Sequence, residues 1–260
     1  MKKVLLGMLC VLAIAISAHA DDSWERVQKA GKLVIGLDDA FPPMGYRQED
    51  GTITGFDIDA AKALGKRLGL EIELQPTAWD GVIHSLNAKK FDCIWNGMTI
   101  TEERAKQVAF TKPYIMDGQV AVVRFDEKRF SSYKDLGGKS VGAQKGSTAM
   151  AAVAKLPKKP KKVREYADNP KALLDLESKR LDAVIIDNVV GRDAISKRIG
   201  KYKTLPGFIS QEPFGIAFRQ SDLALRDKIQ AELDAMVADG TLVKISEKWF
   251  GENIVDSKAW

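Results

Sequence analysis

The stretch Asn96-Gly97-Met98-Thr99-Ile100-Thr101-Glu102-Glu103-Arg104 gathers hydroxyls, two acids and one guanidinium directly after a short apolar run. Thr101 suits a helix N-cap, and Glu102 and Glu103 suit the positive end of a helix dipole, whereas Arg104 in the same first turn carries the wrong sign. A negative group is expected to compensate it. Taken alone, Arg104 is a surface helix residue paired with a nearby glutamate, Asp187 after the apolar run Ala183–Ile186 caps a helix, and Thr99 and Ser147 satisfy local turns. Other chemistries find less support. His84, the only histidine beyond residue 20, sits beside Ser85 on a helical pattern, where neighbours in sequence do not face each other, so a Ser-His-Asp triad is disfavoured. No histidine partner or cysteine pair exists for a metal, Cys93 falls in an apolar strand as inert packing, and neither GxxxxGK[ST] nor GxGxxG occurs.

The elements that must position these residues begin after a leader. Residues 1–20 carry Lys2-Lys3, an apolar stretch too short for an ordinary membrane span, and Ala18-His19-Ala20, the pattern of a cleaved secretory signal peptide. Its removal leaves 240 residues with 38 basic against 35 acidic side chains and one cysteine, Cys93, so no internal disulfide can form. A net charge of +3 is too mild to imply nucleic acid. The basic run Lys155–Arg164 holds two prolines and no aromatic residue, so it is expected to be a solvated loop rather than a base-stacking platform.

Lys32–Gly36 reads as a strand that opens into the turn-rich loop Asp38–Pro43. Ile58, Ala61, Leu64 and Leu68 follow at helical spacing, Gly69 stops the helix, and Leu70, Ile72 and Leu74 alternate as in a strand. Trp79, Val82, Ile83 and Leu86 mark a second helix before the strand Phe91–Trp95. The scheme then repeats: Gly138–Gly142 resembles Gly31–Ile35, and Lys179–Ile186 resembles Lys89–Trp95. Two α/β lobes are expected, each a mainly parallel sheet flanked by helices, with ligands beyond the carboxyl ends of the strands. If Gln119–Val123 and Phe214–Phe218 cross between them, residues 21–117 and 215–260 form lobe 1, residues 118–214 form lobe 2, and the two crossings make a hinge. Leu223–Phe250 is a helical segment packing back on lobe 1.

GFDIDAAKAL from Gly55, WDGVIHSL from Trp79, the TITEER segment and DGTLVKISEKWFG from Asp239, in this order, resemble the periplasmic polar amino-acid-binding proteins of ABC importers. The resemblance implies a two-lobed clamshell that closes on one free amino acid and, as a monomer, presents it to an inner-membrane permease, without cofactor or metal. It implies Arg104 on the ligand carboxylate, since a guanidinium fork suits bidentate contact. Thr99 is implied for both ligand ends, the Gly97 carbonyl for the ammonium, Ser147 and above all Thr148 for the carboxylate, and Asp187 for the ammonium. Phe41 and Trp79 match aromatic positions that sandwich the ligand side chain; Asp38 matches an acid that contacts cationic side chains; Gln144 and Asn96 are further pocket candidates. The ligand is expected to be polar, cationic or cystine. The alternative within the resemblance is an enzyme of the same fold, a cyclohexadienyl dehydratase, for which no pocket acid is evident in the sequence.

Overall fold

A computed structural model describes residues 21–255; the leader, residues 1–20, and the last part of the expected lobe 1 segment, residues 256–260, lie outside them. Two sheets dominate. In the first, Lys32–Leu37 lies between Glu71–Pro76 and Cys93–Ile94 and is parallel to both; Ala217–Arg219 then pairs antiparallel with Cys93–Ile94 and with Val108–Phe110. In the second, Ser140–Gln144 is parallel to both Lys162–Tyr166 and Ala183–Asp187, and the long strand Ile115–Arg124 joins antiparallel and carries Tyr202–Thr204 on its other side. Each sheet therefore has a parallel core of three strands, produced by strand–helix–strand crossovers, plus antiparallel neighbours supplied by the segments that travel between the sheets. A small antiparallel sheet of Ala40–Phe41, Gly45–Arg47 and Ile53–Thr54 caps the first.

The apolar runs are continuous because both faces of each sheet are covered. In the second sheet Val120, Val122, Val184 and Ile186 join one core cluster, while Ala121, Val123, Ala183 and Ile185 join another, the period-two alternation of a strand buried on both sides. The helix Phe56–Leu68 buries Phe56, Ile58, Ala61 and Leu64 and stops at Gly69, which adopts the left-handed conformation with φ 66°. Leu223–Phe250 is two helices, Leu223–Ala238 and Thr241–Phe250, separated at Gly240 with φ 77°. Trp79 lies in a 3-10 turn, Trp79–Gly81, ahead of the helix Val82–Asn87.

The internal repeat is structural, with its register moved by one residue. Lys89 and Lys179, the two non-glycine residues with positive φ among those described, both have φ 60°. Three residues on, Asp92 and Asp182 each turn a carboxylate back to the middle strand of the parallel trio in their own sheet, accepting from the backbone N–H groups of Val34 and Ser140 at 2.9 Å. Val34 thus corresponds to Ser140, and Gly36 to Gly142, rather than Gly31 to Gly138. A Cβ at Gly36 would stand 2.4 Å from the Phe91 ring and one at Gly142 2.5 Å from Leu181, so the same close approach requires glycine in both sheets.

The chain passes between the sheets twice. Residues 115–119 at the start of Ile115–Arg124 pair antiparallel with Ser210–Phe214, in register from Ile115 opposite Phe214 to Gln119 opposite Ser210. The return crossing therefore precedes the apolar run Phe214–Phe218. That run is divided at Gly215, whose N–H donates to the Met98 carbonyl at 2.9 Å, and its second part, from Ala217, already belongs to the first sheet.

Candidate functional site

The strand Cys93–Ile94 ends at the loop singled out in the sequence, and a buried acid shapes that loop. Asp57, in the first turn of Phe56–Leu68, accepts from Trp95 Nε1 at 3.1 Å and from the Gly97 N–H at 2.8 Å. Burial pushes its carboxyl up to about 7, against the Tyr114, Gly97 and Trp95 hydrogen bonds that favour the ionised form. Gly97 has φ 57°, and a Cβ there would lie 2.9 Å from the Phe41 ring. The loop is then stitched to the returning strand, the Ile100 N–H donating to the Pro213 carbonyl at 2.8 Å. Thr101 caps the short helix Glu102–Ala105, accepting from the Arg104 N–H at 3.1 Å.

Arg104 spans the two lobes. Its Nη1 donates to the Thr99 carbonyl at 2.9 Å, its Nη2 to the Gly146 carbonyl at 3.2 Å, and its Cζ lies 5.8 Å from the centre of the Trp79 ring. Burial lowers its pKa, while Asp187, Glu212 and Glu103 pull the other way. Phe41 and Trp79 are parallel to within 2°, with ring centres 6.5 Å apart.

Phe41, Trp79, Gly97, Thr99, Arg104, Gln144, Ser147, Thr148 and Asp187 line one cavity between the sheets. All were singled out in the sequence. Asp38 reaches the cavity through Gln144, whose Nε2 donates to its carboxylate at 2.6 Å; burial raises the Asp38 pKa against that bond. Asn96 lies behind the cavity. Its Oδ1 accepts from the Asp38 N–H at 3.0 Å, which makes it a brace for the Asp38 loop rather than part of the lining. Ser147 turns its hydroxyl back to the Gln144 carbonyl at 2.8 Å, leaving Thr148 as the hydroxyl at the start of the helix Thr148–Ala154 that faces the first lobe.

Two acids were missed. Glu212 and Asp117 stand opposite each other on the paired crossing strands, and both are buried. Glu212 accepts from Thr99 Oγ1 at 2.9 Å, Thr148 Oγ1 at 2.5 Å, Gln119 Nε2 at 3.2 Å and Ser210 Oγ at 2.8 Å. Burial pushes Asp117 up to about 7. Asp187 accepts from Gln119 Nε2 at 2.8 Å, and its pKa is raised well above the usual carboxylate range by burial, then by Asp117 and Glu212. The only local signal for Glu212 is a charged residue just ahead of an apolar run, which ordinarily marks a surface. The site therefore offers a guanidinium on one side and an excess of carboxylate on the other, the complement of a zwitterion carrying at least one ammonium. Among the described residues no cluster of three or more His, Cys, Asp or Glu is placed to hold a metal ion.

Residues 33–252 match the model of a family described as bacterial extracellular solute-binding proteins, family 3. The chain is 33% identical over 258 residues to the L-cystine-binding protein of Escherichia coli K12, covering 97% of each chain. Among solved structures it is similar to an ABC uptake transporter substrate-binding protein from Streptococcus pneumoniae with bound histidine, at TM-score 0.86 and 33% identity, covering 91% of this chain and 99% of that one. It is also similar to an ancestral amino-acid-binding protein described as a precursor of cyclohexadienyl dehydratase, at TM-score 0.81 and 37% identity, covering 87% and 98%.

Proposed function

The chain belongs to the bacterial extracellular solute-binding proteins, family 3, and we propose that it captures one free polar amino acid between its lobes and delivers it to an ABC permease. It is a binding component of transport rather than an enzyme, as its relatives are; the dehydratase alternative has in its favour only a neighbour that itself binds amino acids. The observation that carries the reading is the convergence on one cavity of Arg104, Asp187, Thr99 and Thr148, contributed by both lobes.

In this reading Arg104 holds the ligand carboxylate. Two of its five N–H groups hold backbone carbonyls, and the remainder are available to an anion. The backbone N–H groups of Thr99 and Thr148 assist. The ammonium meets Asp187, the Thr99 hydroxyl and the Gly97 carbonyl, and the side chain lies against the Phe41 and Trp79 rings with Asp38 and Gln144 beyond. Residues 21–117 and 215–260 close on residues 118–214 about the paired strands that begin at Ile115 and Ser210. Because both ends of the ligand are gripped from both lobes, binding and closure are one equilibrium. The protein is a periplasmic monomer whose leader is cleaved near Ala20. Cystine, for which one relative is named as binding protein, and histidine, bound in the structure of another, are the first candidates, with cationic amino acids beside them.

A thermal-shift screen against the common amino acids and cystine tests the reading, because a ligand that binds only the folded state raises its stability. One or a few amino acids raising Tm in a concentration-dependent way is the expected result; no response to any of them overturns it.

A further inference from the structure

Glu212 has no part of its own in the carboxylate-and-ammonium scheme, yet its carboxylate accepts four hydrogen bonds, one of them from the Thr99 hydroxyl that meets the ammonium. Its Oε2 accepts from a hydroxyl of the first lobe, Thr99, from a hydroxyl of the second, Thr148, and from Gln119 on the crossing strand between them. Its Oε1 is held by Ser210 at 2.8 Å, two residues back on the same strand. A carboxylate accepts only, and a threonine hydroxyl has a single proton. Both threonine protons are therefore spent on Glu212, and the 3.3 Å approach of the two hydroxyl oxygens to each other is left without a proton between them. Gln119 Nε2 has two protons for three acceptors: one goes to Asp187 Oδ1 at 2.8 Å, and the other is shared between Glu212 Oε2 at 3.2 Å and Thr148 Oγ1 at 3.3 Å, in keeping with Thr148 as an acceptor.

We propose that Glu212 is a positioning residue for the amino-acid site, fixing the Thr99 and Thr148 hydroxyls as acceptors so that this wall of the cavity takes an N–H donor and refuses a ligand that lacks one. The inference rests on the amino-acid-binding reading. Together with Asp187, the wall presents lone pairs alone, which is the complement of an α-ammonium. The same contacts join first lobe, second lobe and crossing strand through a single carboxylate, so the polarity is set when the lobes are together. A glutamine at this position carries donors as well as an acceptor, and either hydroxyl can then turn its proton into the cavity.

The test compares three amino acids with the same molecules lacking the α-amino group: L-arginine with 5-guanidinopentanoic acid, L-histidine with 3-(imidazol-4-yl)propionic acid, and L-cystine with 3,3′-dithiodipropionic acid. Affinities for wild type and Glu212→Gln are measured by calorimetry, with competition for the weaker partner. The expected result is a loss of roughly tenfold or more for the amino acid, the scale of one hydrogen bond to a charged group, with the deamino acid unchanged or improved. Equal losses for both members of a pair would mean a merely structural role and overturn the proposal, as would no loss for either. If Glu212→Gln does not fold, Thr99→Val carries the test, since it removes the acceptor that Glu212 orients and is expected to shrink the same preference; an unchanged ratio overturns the proposal. Wild type binding none of these three and, in the thermal-shift screen, no other amino acid would overturn this inference and the reading it rests on, whereas an unchanged ratio in the variants leaves that reading standing.

Discussion

Replacing Arg104 by alanine removes one side chain that does three things at once. It ties the Thr99 carbonyl to the Gly146 carbonyl across the lobes, supplies the positive charge facing Asp187 and Glu212, and offers its free N–H groups to the ligand carboxylate. Truncating one partner of a desolvated, hydrogen-bonded charge pair costs about 2–5 kcal/mol, which corresponds to a roughly 30-fold to several-thousand-fold loss of amino-acid affinity. Arg104→Lys is expected to fall between the two, because a point charge cannot span both carbonyls and a carboxylate. The fold is expected to survive, because the loop that carries Arg104 remains anchored by Asp57, Pro213 and the Thr101 cap. The assay is calorimetric titration with the ligand found by thermal shift, alongside circular dichroism of the variant. A folded Arg104→Ala variant binding within about threefold of wild type, well under 1 kcal/mol, would refute the carboxylate assignment.

Asp187→Asn is expected to weaken binding by a similar amount and to flatten its pH dependence. In wild type a raised carboxyl pKa means that protons compete with the ligand ammonium, so affinity falls as pH is lowered; an equally steep pH profile in the variant contradicts the ammonium assignment. Asp57 has a folded pKa of about 7 against 3.8 unfolded, so the native state holds its proton more tightly and the stability from this group is lost as pH rises from about 4 to about 7. Asp57→Asn is expected to flatten that stretch of a Tm-against-pH curve and to cost about 1–3 kcal/mol through one buried donor left unpaired. Gly97→Ala places a Cβ at φ 57° and 2.9 Å from Phe41; a loss of about 1–2 kcal/mol in stability, read by urea unfolding, is expected together with weaker binding.

Much of this molecule is written locally. Gly69 ends the helix Phe56–Leu68, Thr101 caps the short helix Glu102–Ala105, and the spacing of Ile58, Ala61 and Leu64 marks a buried face, because each depends on residues within a few positions of one another. The repeat is legible for the same reason: a positive-φ lysine and an aspartate three residues on form a compact signature at Lys89–Asp92 and Lys179–Asp182. Its register was harder to place, since Gly31-Lys32 and Gly138-Lys139 look alike while the brace and the close approach that align the sheets involve Asp92, Phe91, Asp182 and Leu181 from other strands. The site residues were recognisable through motifs that resemble a known family, and nine of them do share a cavity. Asn96 looked like a lining residue because its neighbours are, but its Oδ1 is turned to the Asp38 N–H behind the cavity.

The sequence by itself determined that alternating strands and helices would build two similar halves, and that Arg104 would lie in a capped turn beyond a strand end in need of a negative partner. Only the tertiary structure decided which acids stand near it and which way the hydroxyls point. Glu212 and Thr99 are 113 residues apart, and Glu212 meets Asp117 through strand pairing that no local pattern specifies. A carboxylate written beside a proline and an apolar run carries no sign of burial in its neighbours. Its environment is made by the two crossings of the chain between sheets, which bring distant side chains together where water is excluded.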